Sequence, residues 1–158
     1  MIISYMKRKN KPSAIMNENY SVMLKKVTRS DSKFLYNLLC QRKPNENISH
    51  KKMPTYAEHV KFVMSKPYSK WYIIKYKNKK TGSIYLTNQN EIGIFLHKEA
   101  QNKGIGKKAL ELLIKNNSRS RYLANINPKN TKSIRFFTKN GFKLIQYTYE
   151  MIMSDTHK

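Results

Sequence analysis

Two glycines lie in a turn between a short apolar segment and a helix, and their spacing suits an anion site. The turn reads Gln101-Asn102-Lys103-Gly104-Ile105-Gly106-Lys107. Glycine carries no Cβ atom, so a ligand can approach the backbone closely. The first N–H groups of the helix have no internal partners, and the helix dipole is positive there. The segment therefore predicts a site for a phosphate or diphosphate, although it lacks the spacing of a Walker loop or a dinucleotide fingerprint.

A single carboxylate stands at the start of the strand that leads into this turn. On a period of two, Glu91 faces opposite to Ile92 and lies beside Gly93, where the missing side chain is expected to leave space. A carboxylate there could act as an acid or a base if it were buried or linked to a relay water. The ordinary alternative is a strand-end glutamate paired with a nearby lysine.

The elements that must position these groups follow from hydrophobic periodicity and from turn residues. A capping box at Thr55 and Glu58 predicts the start of the second helix. The predicted strands cover residues 20–27, 71–76, 81–86, 91–96, 122–126 and 143–153, the last as a strand pair or one bent strand. The predicted helices start at 28, 55, 105 and 130. The order β-α-α-β-β-β-α-β-α-β predicts an α/β fold with a mixed, partly antiparallel central sheet flanked by helices.

Length and composition predict one folded domain. The chain has 158 residues, and a basic arm over 1–18 and a tail over 154–158 are expected to flank a domain over 19–153. The formal charge is +23, yet arginine supplies only six of the 32 cations. This excess of lysine indicates compositional bias more than a nucleic-acid partner. A basic nucleic-acid-binding module stays open as the alternative of another class.

Other residue types narrow the class further. The lone Cys40 excludes an internal disulfide and favours a cytoplasmic location. The longest clean apolar run, Ile92 to Leu96, is far too short for a membrane span. The histidines do not match the spacing of a zinc site, so no metal is expected.

The glycine turn, together with a second segment, resembles a known family. Gln101-x-x-Gly104-x-Gly106 is similar to the acetyl-CoA signature of the GCN5-related N-acetyltransferases (GNAT). Asn127-Pro128-Lys129-Asn130-x-x-Ser133 through Gly141-Phe142 resembles the second motif of that family. The resemblance covers roughly residues 20 to 150. It implies the GNAT fold and the transfer of an acetyl group from acetyl-CoA to a primary amine.

The resemblance also implies roles for individual residues toward acetyl-CoA. The pantetheine arm lies along the strand before the turn, and Asn130 binds it from the next helix. Phe137 occupies a position beside the cofactor where many members carry a tyrosine that protonates the leaving thiolate, and phenylalanine has no such proton. The backbone groups implied are those of Phe95 and Leu96 for pantetheine and those of Lys103, Gly104, Ile105, Gly106 and Lys107 for the diphosphate.

Acetyl transfer to an amine needs a base for the ammonium proton, and Glu91 is the candidate. Asn125 is a candidate for positioning a water. Tyr147 and Tyr149 are possible substitutes for the missing phenol at Phe137.

The acceptor side is predicted from the loop between the first two helices. Arg42 is expected to bind an acceptor carboxylate or phosphate, with hydrogen bonds from Asn47, Ser49 and His50. A faint similarity to nucleotide-sugar amine N-acetyltransferases favours an amino-sugar nucleotide or another small anionic amine. A protein N-terminus or lysine is the alternative acceptor, and either a monomer or a homodimer is compatible with the sequence.

Overall fold

The computed structural model describes residues 21–43 and 52–151, and it contains one four-stranded antiparallel sheet in the order β1-β2-β3-β4. The predicted basic arm, the tail and the residues Asn47, Ser49 and His50 lie outside the described residues. Short 3₁₀ turns precede α1 and α3. The elements are β1 (Val22–Lys26), α1 (Ser32–Cys40), α2 (Tyr56–Met64), β2 (Lys70–Tyr76), β3 (Lys79–Leu86), β4 (Ile92–Leu96), α3 (Ile105–Asn116) and α4 (Thr131–Lys139).

Local capping explains where α2 begins and where the 3₁₀ turn before α1 begins. The Thr55 hydroxyl accepts the Glu58 N–H at 3.3 Å, and the Glu58 carboxylate accepts the Thr55 N–H at 2.7 Å. The predicted capping box is therefore confirmed. A second capping box, at Thr28 and Asp31, starts the 3₁₀ turn that precedes α1, and its carboxylate accepts the Thr28 N–H at 2.9 Å. Each box satisfies backbone donors that a helix start otherwise leaves unpaired.

The sheet separates two apolar layers. Ile74, Ile84 and Leu86 pack with α3 and with Phe137 of α4, whereas Ile73 packs with Leu35 of α1 and Val63 of α2. Alternate strand residues point to opposite faces, so the β4 residues 91, 93 and 95 share the face covered by α1 and α2. The predicted α/β class, with a central sheet flanked by helices, is confirmed.

Two predicted strands are not formed as expected. Over residues 122–126 the chain makes a single parallel bridge, between Leu123 and Glu91, in place of a full strand. Residues 143–151 contain no strand, and Leu144, Tyr147 and Tyr149 are exposed there. Hydrophobic alternation marks a segment as able to pair, but pairing also needs a partner edge, which local sequence does not specify.

Burial varies among the side chains of this helical layer. Phe62 of α2 is exposed, whereas His59 and Val63 of the same helix are buried. Asp31 is fully buried, and its carboxylate lies 2.7 Å from Lys80 Nζ and 3.5 Å from Lys25 Nζ. Across residues 21–43 and 52–151, no helix is both long and apolar enough to cross a membrane.

Candidate active site

The glycine turn enters α3 with two residues in the left-handed region. Asn102 has φ +59° and Gly104 has φ +74°. A Cβ placed on Gly104 would meet nothing within 4 Å, so the backbone there borders open space. The first hydrogen bond into the helix runs from Lys108 N–H to the Gly104 carbonyl at 3.1 Å. The N–H groups of residues 105–107 therefore precede the helical ladder and are available to an anion.

Gly106 serves packing rather than open approach. A Cβ there would lie 3.2 Å from the Phe136 ring and 3.4 Å from Leu96 Cδ1. Gln101 closes the turn on its other side, because its side-chain amide donates to the Leu96 carbonyl at 3.1 Å. The motif glycines thus have different physical roles: Gly104 permits the backbone conformation, and Gly106 permits α3 to approach β4.

The register of β4 decides which backbone groups face its outer edge. Thr87 N–H bonds the Glu91 carbonyl at 2.9 Å, and His97 N–H bonds the Thr81 carbonyl at 2.9 Å. Odd-numbered residues of β4 therefore bond β3, and the alternation of an antiparallel ladder turns Ile92, Ile94 and Leu96 outward. Ile92 N–H donates to the Leu123 carbonyl at 2.8 Å, which leaves residues 94 and 96 facing the outer edge.

This register corrects one predicted site residue. The backbone of Phe95 pairs with Ser83 of β3 and does not face the outer edge. Ile94 is the residue whose backbone faces this edge beside Leu96, and sequence reasoning missed it because the ladder phase depends on the partner strand. Residues 94 and 96 are the groups that an added strand-like ligand would meet at this edge.

The structure brings the two predicted catalytic residues into contact. Asn125 Nδ2 donates to Glu91 Oε1 at 2.7 Å, and Thr87 Oγ1 donates to Glu91 Oε2 at 3.2 Å. The parallel bridge at Leu123 places Asn125 on the same face as Glu91. The carboxylate is half-buried and held in one orientation, with acceptor capacity left over on both oxygens. This arrangement suits a group that receives a proton.

An aromatic pair covers the face beside this carboxylate. The space expected at Gly93 is filled, because a Cβ there would overlap the ring tip and hydroxyl of Tyr85. Tyr85 is opposite Gly93 in the β3–β4 register, and its ring stacks on Tyr68 with centroids 3.9 Å apart. Burial, and next the neighbouring Tyr85, raise the pKa of Tyr68, while the positive charge of Arg42 opposes the rise. Tyr68 therefore stays neutral at physiological pH.

Arg42 lies on the same face of the sheet. Its guanidinium carbon is 5.1 Å from the ring centroid of Phe95. Its Nε atom is buried and has no hydrogen-bond partner among the described residues. The neighbouring Gln41 ties this end of α1 to β4, since its Oε1 lies 2.9 Å from His97 Nδ1. The chain thus holds a cation over β4, and binding of the acceptor by Arg42 stays a prediction.

One known protein family matches most of this sequence. A family model described as "Acetyltransferase (GNAT) domain" matches residues 21–143. The chain belongs to the GNAT family. No curated protein matches it.

Solved structures share the GNAT fold with this chain. A domain from Methanocaldococcus jannaschii DSM 2661 is 25% identical at a TM-score of 0.70, over 82% of this chain and 93% of that one. RimL, a ribosomal L7/L12 alpha-N-protein acetyltransferase in complex with coenzyme A, is 20% identical at a TM-score of 0.65, over 79% of this chain and 81% of that one. The microcin C7 self-immunity acetyltransferase MccE, in complex with acetyl-CoA and AMP, is 23% identical at a TM-score of 0.58, over 77% of this chain and 78% of that one.

As a GNAT enzyme, the chain is an acetyl-CoA-dependent N-acetyltransferase, and its residues fit that co-substrate. The space over Gly104 is open, and it lies beside the N–H groups at the start of α3, so the diphosphate of acetyl-CoA would fit there. Lys103 and Lys107 are exposed around it. No group of three or more potential metal ligands occurs in residues 21–43 and 52–151.

The remaining predicted residues of the GNAT site have structural partners of their own. Asn130 caps α4, because its Oδ1 accepts the Ser133 N–H at 3.1 Å. Phe137 is buried, with edge-to-face contacts to Phe136 and Phe142 at 5.1 and 5.0 Å between centroids. Packing therefore accounts for Phe137, and its place beside the co-substrate stays a prediction.

Proposed function

We propose that this GNAT enzyme acetylates the primary amine of a small anionic acceptor, with Glu91 as the general base. The observation that carries the proposal is the clamp on the Glu91 carboxylate by Asn125 and Thr87, at 2.7 and 3.2 Å. A fixed and partly exposed carboxylate at the start of β4 can receive a proton without reorganising. An amino-sugar nucleotide is an example of such an acceptor.

Each of these residues has a defined part in the reaction. Bound acetyl-CoA would supply the acetyl group as a thioester: the amine nitrogen forms the amide bond, the C–S bond breaks, and the released thiolate takes a proton from water. Glu91 takes the proton that the acceptor ammonium must lose before or during its attack, directly or through one water. Asn125 keeps one carboxylate oxygen oriented and does not take the proton itself. The N–H groups of residues 105–107 and the charges of Lys103 and Lys107 hold the diphosphate.

Electrostatics support an anionic acceptor. The chain carries a formal charge of +23, which attracts anions and repels polyamines. Arg42 adds a local cation on the same face as Glu91, over the ring of Phe95. A guanidinium pairs with carboxylates and phosphates through parallel N–H donors, so an anionic acceptor would suit this position.

The experiment is thiol release from acetyl-CoA with a panel of amines, followed by mass spectrometry of the products. The panel contains amino-sugar nucleotides, amino acids, peptides with a free N-terminus, and spermidine. We expect the highest kcat/KM with an anionic small amine and the lowest with spermidine. Turnover of peptides alone would assign the enzyme to protein acetylation, and no turnover with any amine would reject the proposal.

A further inference from the structure

Three chemically distinct groups lie in a row on the β4 face that α1 and α2 cover. The Glu91 carboxylate stands at one end, and the Arg42 guanidinium lies over Phe95 at the other. Between them the Tyr85 phenol occupies the place of a side chain at Gly93. Residues 91, 93 and 95 face the same side because they alternate with the core residues of β4.

The strand itself sets the spacing of this row. From residue 91 to residue 95 a β-strand advances about 13 Å, at roughly 3.3 Å per residue. The charge of Arg42 also acts on Tyr68, which stacks on Tyr85, so the influence of the cation extends toward the middle of the row. The separation between the carboxylate and the cation therefore corresponds to two to four strand residues, or roughly 7 to 13 Å.

We infer that the acceptor is a primary amine that also carries an anionic group. This group lies roughly 7 to 13 Å from the amine, the length of two to four strand residues, and an apolar or ring-bearing segment separates the two. This inference rests on the proposed function, because the amine end is assigned by Glu91. Arg42 binds the anionic end, and the Tyr85 ring, supported by Tyr68, is the surface that the span crosses. The charge of the acceptor and the distance between its amine and its anionic group together determine specificity.

The row excludes two common kinds of amine. A free α-amino acid has its amine and carboxylate on one carbon, which is too short to contact both Glu91 and Arg42. A polyamine has a second cation where Arg42 requires an anion, and like charges repel. The phosphate of a sugar nucleotide and an acidic group remote from an amine both satisfy the spacing.

The test compares amines that differ only in length and charge. The acceptors are glycine, octylamine, and aminohexanoate and aminooctanoate with the amine on the terminal carbon. We expect kcat/KM for aminooctanoate to exceed that for octylamine and for glycine by at least about tenfold, the size of one charge-assisted contact. Calorimetry in the presence of coenzyme A should show the same order of binding.

Variants then locate the anion site. Arg42→Gln should remove the preference for aminooctanoate over octylamine, and Arg42→Lys should keep part of it. Arg29→Gln removes an exposed cation from the turn before α1 and is the matched control, with the preference retained. Thermal unfolding confirms that each variant is folded.

Two results separate this inference from the proposed function. Turnover of octylamine and aminooctanoate with equal kcat/KM by the parent enzyme would overturn the inference and leave the assignment of an amine acetyltransferase intact. No turnover with these amines and with every amine of the panel above would overturn the proposed function itself, and turnover of panel amines without any turnover of aminohexanoate or aminooctanoate would overturn the inference. The first comparison needs no variant, so misfolding of Arg42→Gln cannot leave the inference untested.

Discussion

Replacement of Gly104 by alanine tests the co-substrate site, and Gly141 provides a matched control. Both glycines have positive φ, +74° and +88°, and a Cβ on either one would meet nothing within 4 Å. An alanine held in this region costs about 1 to 2 kcal/mol of stability. Gly104→Ala and Gly141→Ala should therefore lower the free energy of unfolding by similar amounts, because strain is the cost in both and steric overlap in neither.

Only the Gly104 variant should lose affinity for acetyl-CoA. Its new methyl group would occupy the space beside the N–H groups that precede the α3 ladder. Loss of one charge-assisted hydrogen bond there costs about 1.5 to 3 kcal/mol, a tenfold to hundredfold rise in Kd. Calorimetric titration with acetyl-CoA and thermal unfolding of both variants provide the two measurements. Equal Kd values for Gly104→Ala and Gly141→Ala would refute the assignment of the diphosphate to this turn.

Three further predictions concern packing and pH. Gly93→Ala places a Cβ where the Tyr85 ring lies, so it should displace that ring and lower kcat/KM for the preferred acceptor by about tenfold or more, with acetyl-CoA Kd unchanged as the control. Burial raises the pKa of Asp31, but the ion pair with Lys80 and the Thr28 hydrogen bonds outweigh it, so the pKa lies below the ordinary 3.8. The stability that the ionised Asp31 contributes should therefore be lost as the pH falls below that value. At neutral pH, denaturant unfolding should show that Asp31→Asn lowers the free energy of unfolding by about 2 to 3 kcal/mol. Burial lowers the pKa of His59, so the fold should lose stability as the pH falls below the ordinary 6.5, and His59→Leu should show a smaller loss over that range in thermal unfolding.

The features predicted correctly from sequence depend on residues close together in the chain. The capping box at Thr55, the individual strands β2 and β3, and the glycine turn each need only local hydrogen bonds or local backbone preferences. The turn was also placed correctly before α3, because hydrophobic periodicity marks the helix and Gly104 marks its start. These signals, with the second motif, were enough to identify the family and the co-substrate.

The features that were missed depend on pairing between distant segments. Whether Ile94 or Phe95 faces the outer edge of β4 follows from its register with β3, which local sequence does not specify. The Tyr85 ring fills the place at Gly93 for the same reason. Pairing of Lys80 with Asp31 joins β3 to the turn before α1, so the buried carboxylate had no local signal.

The central claim is that the clamped Glu91 carboxylate removes the proton of the acceptor amine. Its most direct test is kcat for Glu91→Gln with the preferred acceptor, measured beside the acetyl-CoA Kd and beside Glu99→Gln, an exposed carboxylate outside the site. We expect a kcat lower by about 100-fold or more for Glu91→Gln, with Kd within about twofold, and parent-like values for Glu99→Gln. A parent-like kcat for Glu91→Gln would contradict it.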